Sequence, residues 1–257
     1  MKDVLDYLKS ELNSEVSEVV AEVRIGLVYT GVLLSGGHAG VAYTPTCELS
    51  ECPVLASAGN IAGKSAQNLM RMALSPNLVE AAVGVAAVNA LSQIAFERSP
   101  EKYVFSSTDV SDLIQAKDKV AMVGYFGPLI PKISEKTREL YVLEKRKIED
   151  DRIKLLSPSE ISEVLPSSDV VLISGSTLVN KTVNEILDNI ANAREIVLLG
   201  PTASVTPQPF FDRGVTAVMG VKITDSEKML KVIGEAGGTR QLLSTCAKKT
   251  ALVRGST

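Results

Sequence analysis

The sequence predicts a mixed α/β fold in two parts: an N-terminal α+β part built as an antiparallel meander with helices, then a C-terminal parallel α/β part. Three observations carry this. Residues 168–190, SDVVLISGSTLVNKTVNEILDNI, read as strand, polar glycine loop and amphipathic helix. From Lys119 onward, short apolar runs alternate with helical patterns, which implies a doubly wound parallel sheet. Before residue 44, three strand-like runs are joined by intervals too short for a parallel crossover.

The elements follow in order. Residues 2–13 predict a helix, with Val4, Leu5, Leu8 and Leu12 on one stripe. Strands are expected over 16–25, 27–34 and 40–43, with Gly26 and Ser35-Gly-Gly-His38 between them. Helices follow over 62–74 and 76–96. The second opens on Ser75-Pro76, an N-cap with proline at the first helical position. It is apolar nearly all round from Ala81 to Leu91, so it should be buried. Asn89 in its middle then needs a partner or a ligand. Residues 98–117 read as a linker, which divides the chain into domains at 1–110 and 111–257.

In the second part, strands are expected over 120–125, 140–143, 170–173, 195–199 and 215–219. Residues 145–154 form a dense charge run and read as a solvated excursion. Thr182-Val-Asn-Glu185 and Thr224-Asp-Ser-Glu227 have capping-box spacing. MVGYFGPLIP at 122–131 and LLGPTASVTP at 198–207 repeat a strand, a Gly-Pro exit and a second proline. Loops at the carboxyl ends of parallel strands are where ligands bind in open α/β sheets.

Composition narrows the function. At 257 residues the chain can bury a core unaided. Aromatics make up 4% with no Trp, and net charge is −3, so a nucleic-acid partner is not expected. The N-terminus lacks the apolar core of a signal peptide, and no uninterrupted apolar run reaches membrane-spanning length, so a cytoplasmic location without a membrane partner is expected. A homo-oligomer stays open.

Chemistry-bearing residues are few. Ala58-Gly-Asn-Ile-Ala-Gly63-Lys64-Ser65 approaches a phosphate loop but lacks the parallel-strand context. Cys47 and Cys52 do not have zinc spacing, and with Cys246 they read better as incidental thiols than as soft metal ligands. His38, the only histidine, sits among glycines and is a candidate acid/base. Glu144, at a strand end, is a candidate carboxylate for a metal or a hydroxylated ligand. The glycines near residue 175 lack dinucleotide-fingerprint spacing.

Several stretches resemble a known family: Gly40-Val-Ala-Tyr-Thr-Pro45, Asn89 in its Ala-rich helix, Val123-Gly-Tyr-Phe-Gly-Pro-Leu129, Val142-Leu-Glu144, Gly175-Ser-Thr-Leu-Val-Asn180-Lys-Thr182, Gly200-Pro-Thr202 and Phe211-Asp-Arg-Gly-Val215. Together they resemble the "Putative heavy-metal chelation" family over nearly the whole chain. The resemblance implies an enolase N-terminal-like domain and a Rossmann-like domain with a site between them. It points to Thr44, Asn89, Phe126, Glu144, Thr177, Asn180 and Thr202, with Gly175 and Gly200 in its motifs as ligand-binding positions; the candidate catalytic groups are Glu144 and, from its own setting rather than from the resemblance, His38. These are mostly hard oxygen and amide donors, whereas soft metals prefer sulfur. The expectation is therefore a small anionic or metal-chelating ligand, a heavy metal or metal chelate among them, held in an interdomain cleft. The alternatives are an enzyme using a pterin-like or nucleotide-like cofactor and a non-catalytic ligand sensor.

Overall fold

The computed structural model describes residues 1–49 and 53–255. Helix α1 (Lys2–Leu12) turns Val4, Leu5, Leu8 and Leu12 inward, as its stripe predicts. Strands β1 (Val20–Ile25), β2 (Tyr29–Leu34) and β3 (Ala39–Tyr43) form an antiparallel three-stranded sheet in that order. Helix α2 (Ala66–Met70) is shorter than expected, because the Ser65 hydroxyl caps it by accepting from the Asn68 amide and the chain tightens into a 3-10 turn over Arg71–Leu74.

Helix α3 (Leu78–Arg98) is buried throughout from Ala81 to Phe96. Its cap is Asn77 rather than Ser75: the Asn77 side chain accepts from the Val79 and Glu80 amides, and Pro76 stays outside the helix. By length and composition α3 could cross a membrane, yet 89% of its most apolar window is buried in the fold. The meander lies very close to it. A Cβ at Gly40 would stand 2.3 Å from the Ala86 carbonyl and the Ala90 amide, so only glycine permits this contact.

The second sheet takes the rest of the chain. Its elements are β4 (Phe105–Ser106), β5 (Lys119–Val123), α4 (Ile130–Ser134), β6 (Glu139–Leu143), β7 (Lys154–Leu156), α5 (Ile161–Val164), β8 (Val170–Ser174), α6 (Ser176–Val179), α7 (Val183–Asp188), β9 (Glu195–Leu199), α8 (Gln208–Phe211), β10 (Ala217–Ile223), α9 (Ser226–Gly234), α10 (Thr239–Thr245) and β11 (Ala247–Val253). The strand order is β4-β11-β10-β9-β8-β5-β6-β7, with β5 to β10 parallel as the alternation predicts.

Several features depart from expectation. The strand expected over 16–25 begins only at Val20, after a 3-10 turn over Asn13–Ser17, and the end of the charge run joins the sheet as β7, parallel to β6. Strand β11 is not among the expected elements, yet it pairs antiparallel with β10 from Ala217↔Val253 to Ile223↔Ala247. The segment expected as a linker is tied to the sheet, since β4 pairs with β11. Neither expected capping box forms. Thr182 does not cap α7, and its hydroxyl donates instead to Asn180 Oδ1 at 2.8 Å. At α9 the cap is Asp225, which accepts from the Lys228 amide.

The chain enters the parallel sheet at β5, runs outward to β6 and β7, then returns to β8 on the other side of β5. Val120↔Val170 through Val123↔Ile173 therefore mark the topological switch point. The exits of two strands diverge there, and a crevice opens above their carboxyl ends.

Candidate functional site at the switch point

A cavity of about 660 Å³ opens at this switch point, in the size range of small-molecule sites. The exits of β5, β8 and β9 line it through Gly124, Gly175 and Gly200, and Tyr29, Tyr43 and Glu48 of the N-terminal part face it from the other side. Two of these glycines are conformationally required: Gly124 has φ 93° and Gly200 φ 106°. At Gly175 the requirement is space, because a Cβ would stand 2.6 Å from the Ala203 amide.

Glu144 anchors one wall. Its carboxylate accepts from the Tyr125 amide at 3.2 Å, the Lys145 amide at 2.9 Å, the Arg146 amide at 3.1 Å and Arg146 Nη2 at 3.0 Å. Burial opposes its charge, but the Arg146 guanidinium and these amides outweigh burial and hold its pKa below the usual glutamate value. A carboxylate kept ionised and occupied in this way is a poor proton carrier, so its geometry suits positioning of Arg146 rather than acid/base work. Near it, burial raises the pKa of the Tyr43 hydroxyl, with Cys47 and Glu48 adding to the effect.

Of the residues expected from sequence, Phe126, Glu144, Gly175, Thr177, Asn180, Gly200 and Thr202 line this cavity. Several of their polar atoms are already engaged. The Thr177 hydroxyl donates to the Ser174 carbonyl at 2.7 Å, and Thr202 Oγ1 accepts from the Tyr43 amide at 2.9 Å. Asn180 accepts from Thr182 and donates to Glu48 Oε2 at 3.3 Å.

Three expected residues lie elsewhere. Thr44 is buried against Thr30, with hydroxyl oxygens 2.9 Å apart. Asn89 lies in the protein interior, where its amide donates to the Val41 carbonyl at 2.8 Å and to the Thr202 carbonyl at 2.9 Å. His38 lies in a separate hollow with Gln93, Glu97 and Lys222, where Nε2 stands 3.0 Å from Glu97 Oε2. An acid/base role for His38 at this cavity has no geometric basis.

Sequence reasoning missed Glu48, Lys145 and Arg146, which all line the cavity. Lys145 and Arg146 begin the charge run read as a solvated excursion. The signal was their position directly after the Glu144 strand end, where a parallel strand presents its exit loop to a ligand.

Among the described residues, no three His, Cys, Asp or Glu side chains come together as a metal-binding group. Cys47 is exposed, Cys246 is buried with its thiol 3.5 Å from the Leu242 carbonyl, and Cys52 lies outside the described residues. The oxygen and amide donors of the cavity wall do not match a soft metal's preference for sulfur.

Residues 108–252, more than half of the chain, match the DUF364 family model, described as "Putative heavy-metal chelation". The chain belongs to the DUF364 family. Residues 6–92 match the DUF4213 model, which has the same description. A DUF364 protein of unknown function from Pyrococcus horikoshii has a solved structure with 27% identity and a TM-score of 0.80, over 97% of this chain and 98% of that one. A second DUF364 protein, from Desulfitobacterium hafniense DCB-2, is 22% identical with a TM-score of 0.79 over 99% of each chain, a likeness of fold alone. An uncharacterised protein of Methanocaldococcus jannaschii is 34% identical over 177 residues, a match that spans 64% of that relative's length. Both parts of the chain are thus covered by the family assignment, and the fold is that of solved DUF364 proteins.

Proposed function

We propose that this protein binds a small organic ligand, anionic or metal-chelating, in the switch-point cavity, and that any heavy metal it handles arrives as a chelate. The carrying observation is the pairing of a ligand-sized cavity at the strand exits with a wall of amide, hydroxyl and guanidinium groups. A chelate brings its own metal donors and needs from the protein only shape, hydrogen bonds and a countercharge. Arg146, held by Glu144, supplies the countercharge as a planar fork suited to carboxylate or phosphate oxygens.

A thermal-shift screen of organic anions, metal chelates and free metal ions tests this. A chelate or organic anion should raise the melting temperature, and free metal should not. Stabilisation by free metal alone, with metal retained on elemental analysis, would overturn it. The second reading, an enzyme with a pterin-like or nucleotide-like cofactor, is favoured by one feature: Tyr43, Tyr125 and Phe126 all line the cavity and offer faces for a planar ring. Pterins and nucleotides in the same screen, followed by turnover assays on any hit, separate the two.

A further inference from the structure

The Glu48 carboxylate stands between two other segments of the cavity wall. A single oxygen, Oε2, accepts from Lys145 Nζ at 2.9 Å and from Asn180 Nδ2 at 3.3 Å. Glu48 comes from the turn after β3, Lys145 from the exit of β6, and Asn180 from the end of α6. These positions are 97 and 132 residues apart from Glu48 in the chain, and all three side chains line the cavity. Nothing in the fold requires this pairing, since neither sheet's register runs through it.

One ammonium and one amide N–H converging on a shared point form a receptor for an oxyanion. The protein's own carboxylate fills it. From this geometry we infer that Glu48 is an internal stand-in for the ligand, and that the natural ligand presents a carboxylate or phosphate oxygen to Lys145 and Asn180 in its place. This inference rests on the cavity reading above and names the chemical class the cavity takes.

Charge supports the exchange. Among the described residues, Glu48, Glu144 and Glu185 line the cavity together with Lys145 and Arg146, one more acid than base while Glu48 points inward. With the Glu48 side chain rotated outward the two signs balance, and an entering anion no longer meets a carboxylate at that position. Lys145 is 61% exposed and Glu48 17%, so water reaches the pair from the lysine side and screens it there. Arg146 is a different kind of cation: it is tied to Glu144, which four donors hold in place, and so provides a fixed second contact.

An internal competitor lowers apparent affinity by the fraction of sites it leaves open, so removing it must tighten binding. The test is isothermal titration of the full chain with two probes, citrate and inorganic phosphate, against wild type, Glu48→Ala, and Glu48→Ala combined with Lys145→Ala and Asn180→Leu. Glu48→Ala should bind citrate at least about fivefold tighter than wild type, and the triple variant should lose that gain. Circular dichroism confirms that each variant is folded. Equal or weaker binding by Glu48→Ala overturns the inference, as does a gain that survives in the triple variant or binding of neither probe by Glu48→Ala. The cavity reading fails separately, when no organic anion or chelate in the wider screen shifts the melting temperature of either protein.

Discussion

Asn89 and Asn180 carry the same side chain in two different regions of the molecule. Asn89 sits in the seam between α3, the meander and the 201–203 turn, fully buried, with its amide committed to two backbone carbonyls and Oδ1 left without a partner. Asn180 sits on the cavity wall, only partly buried, and its amide reaches another side chain rather than the backbone. The difference teaches what decides a polar residue's role. A seam amide with fixed backbone partners organises the fold, whereas a wall amide with an exchangeable partner can serve a ligand.

The seam should break the protein and the wall should not. Gly40→Ala places a methyl 2.3 Å from α3 backbone atoms; it should cost on the order of 3 kcal/mol or prevent folding, as read by urea denaturation. Asn89→Leu strands two buried carbonyls and should cost about 2–4 kcal/mol in the same assay, while any folded fraction keeps its ligand response. Loss of binding out of proportion to unfolding would move Asn89 from the seam to the site.

Glu144→Gln probes the boundary between the two regions. It weakens the hold on Arg146 and should cost about 1–2 kcal/mol at pH 7. The sign follows from the lowered folded-state pKa of Glu144. Its stabilisation is complete above the unfolded glutamate value and is lost as pH falls through the folded value. The gap between wild type and variant should therefore narrow in acid melts below about pH 4; a gap that widens there contradicts the assigned role. Asn180→Leu should change stability least, by under about 1 kcal/mol, yet abolish the melting shift given by whichever chelate or anion stabilises wild type. An unchanged shift would remove Asn180 from the site.

Much of the fold was legible because hydrophobic period reports burial directly. The stripe in α1, the all-round apolarity of α3 and the short apolar runs of β5, β6, β8 and β9 each state how many faces are covered. The C-terminal strand was harder. Lys248 and Lys249 break its apolar run, which an antiparallel strand near a sheet edge tolerates because its pairing comes from the backbone. The caps moved from Ser75 to Asn77 and from Thr224 to Asp225, while at α7 the Thr182 hydroxyl turned to Asn180 instead of the helix end; spacing alone does not show which group wins.

Within the candidate site, the glycine turns and the Gly175–Asn180 stretch were readable from local chemistry. Arg146 and Lys145 were hidden in a charge run, since a sequence does not distinguish a cation facing water from one facing a cavity. Glu48 was hidden more deeply, because its two partners lie in distant segments of the chain.

By itself, then, the sequence determined an antiparallel part followed by a parallel one, a buried central helix, and strand exits shaped by glycine and proline. These follow from local rules: periodicity, backbone freedom and capping. Only the tertiary structure decided that β5 and β8 form the switch point, that the Asn89 amide meets the Val41 and Thr202 carbonyls, that His38 stands apart, and that Glu48, Lys145 and Asn180 meet. Those outcomes depend on which distant segments become neighbours, and no short stretch of chain sets that.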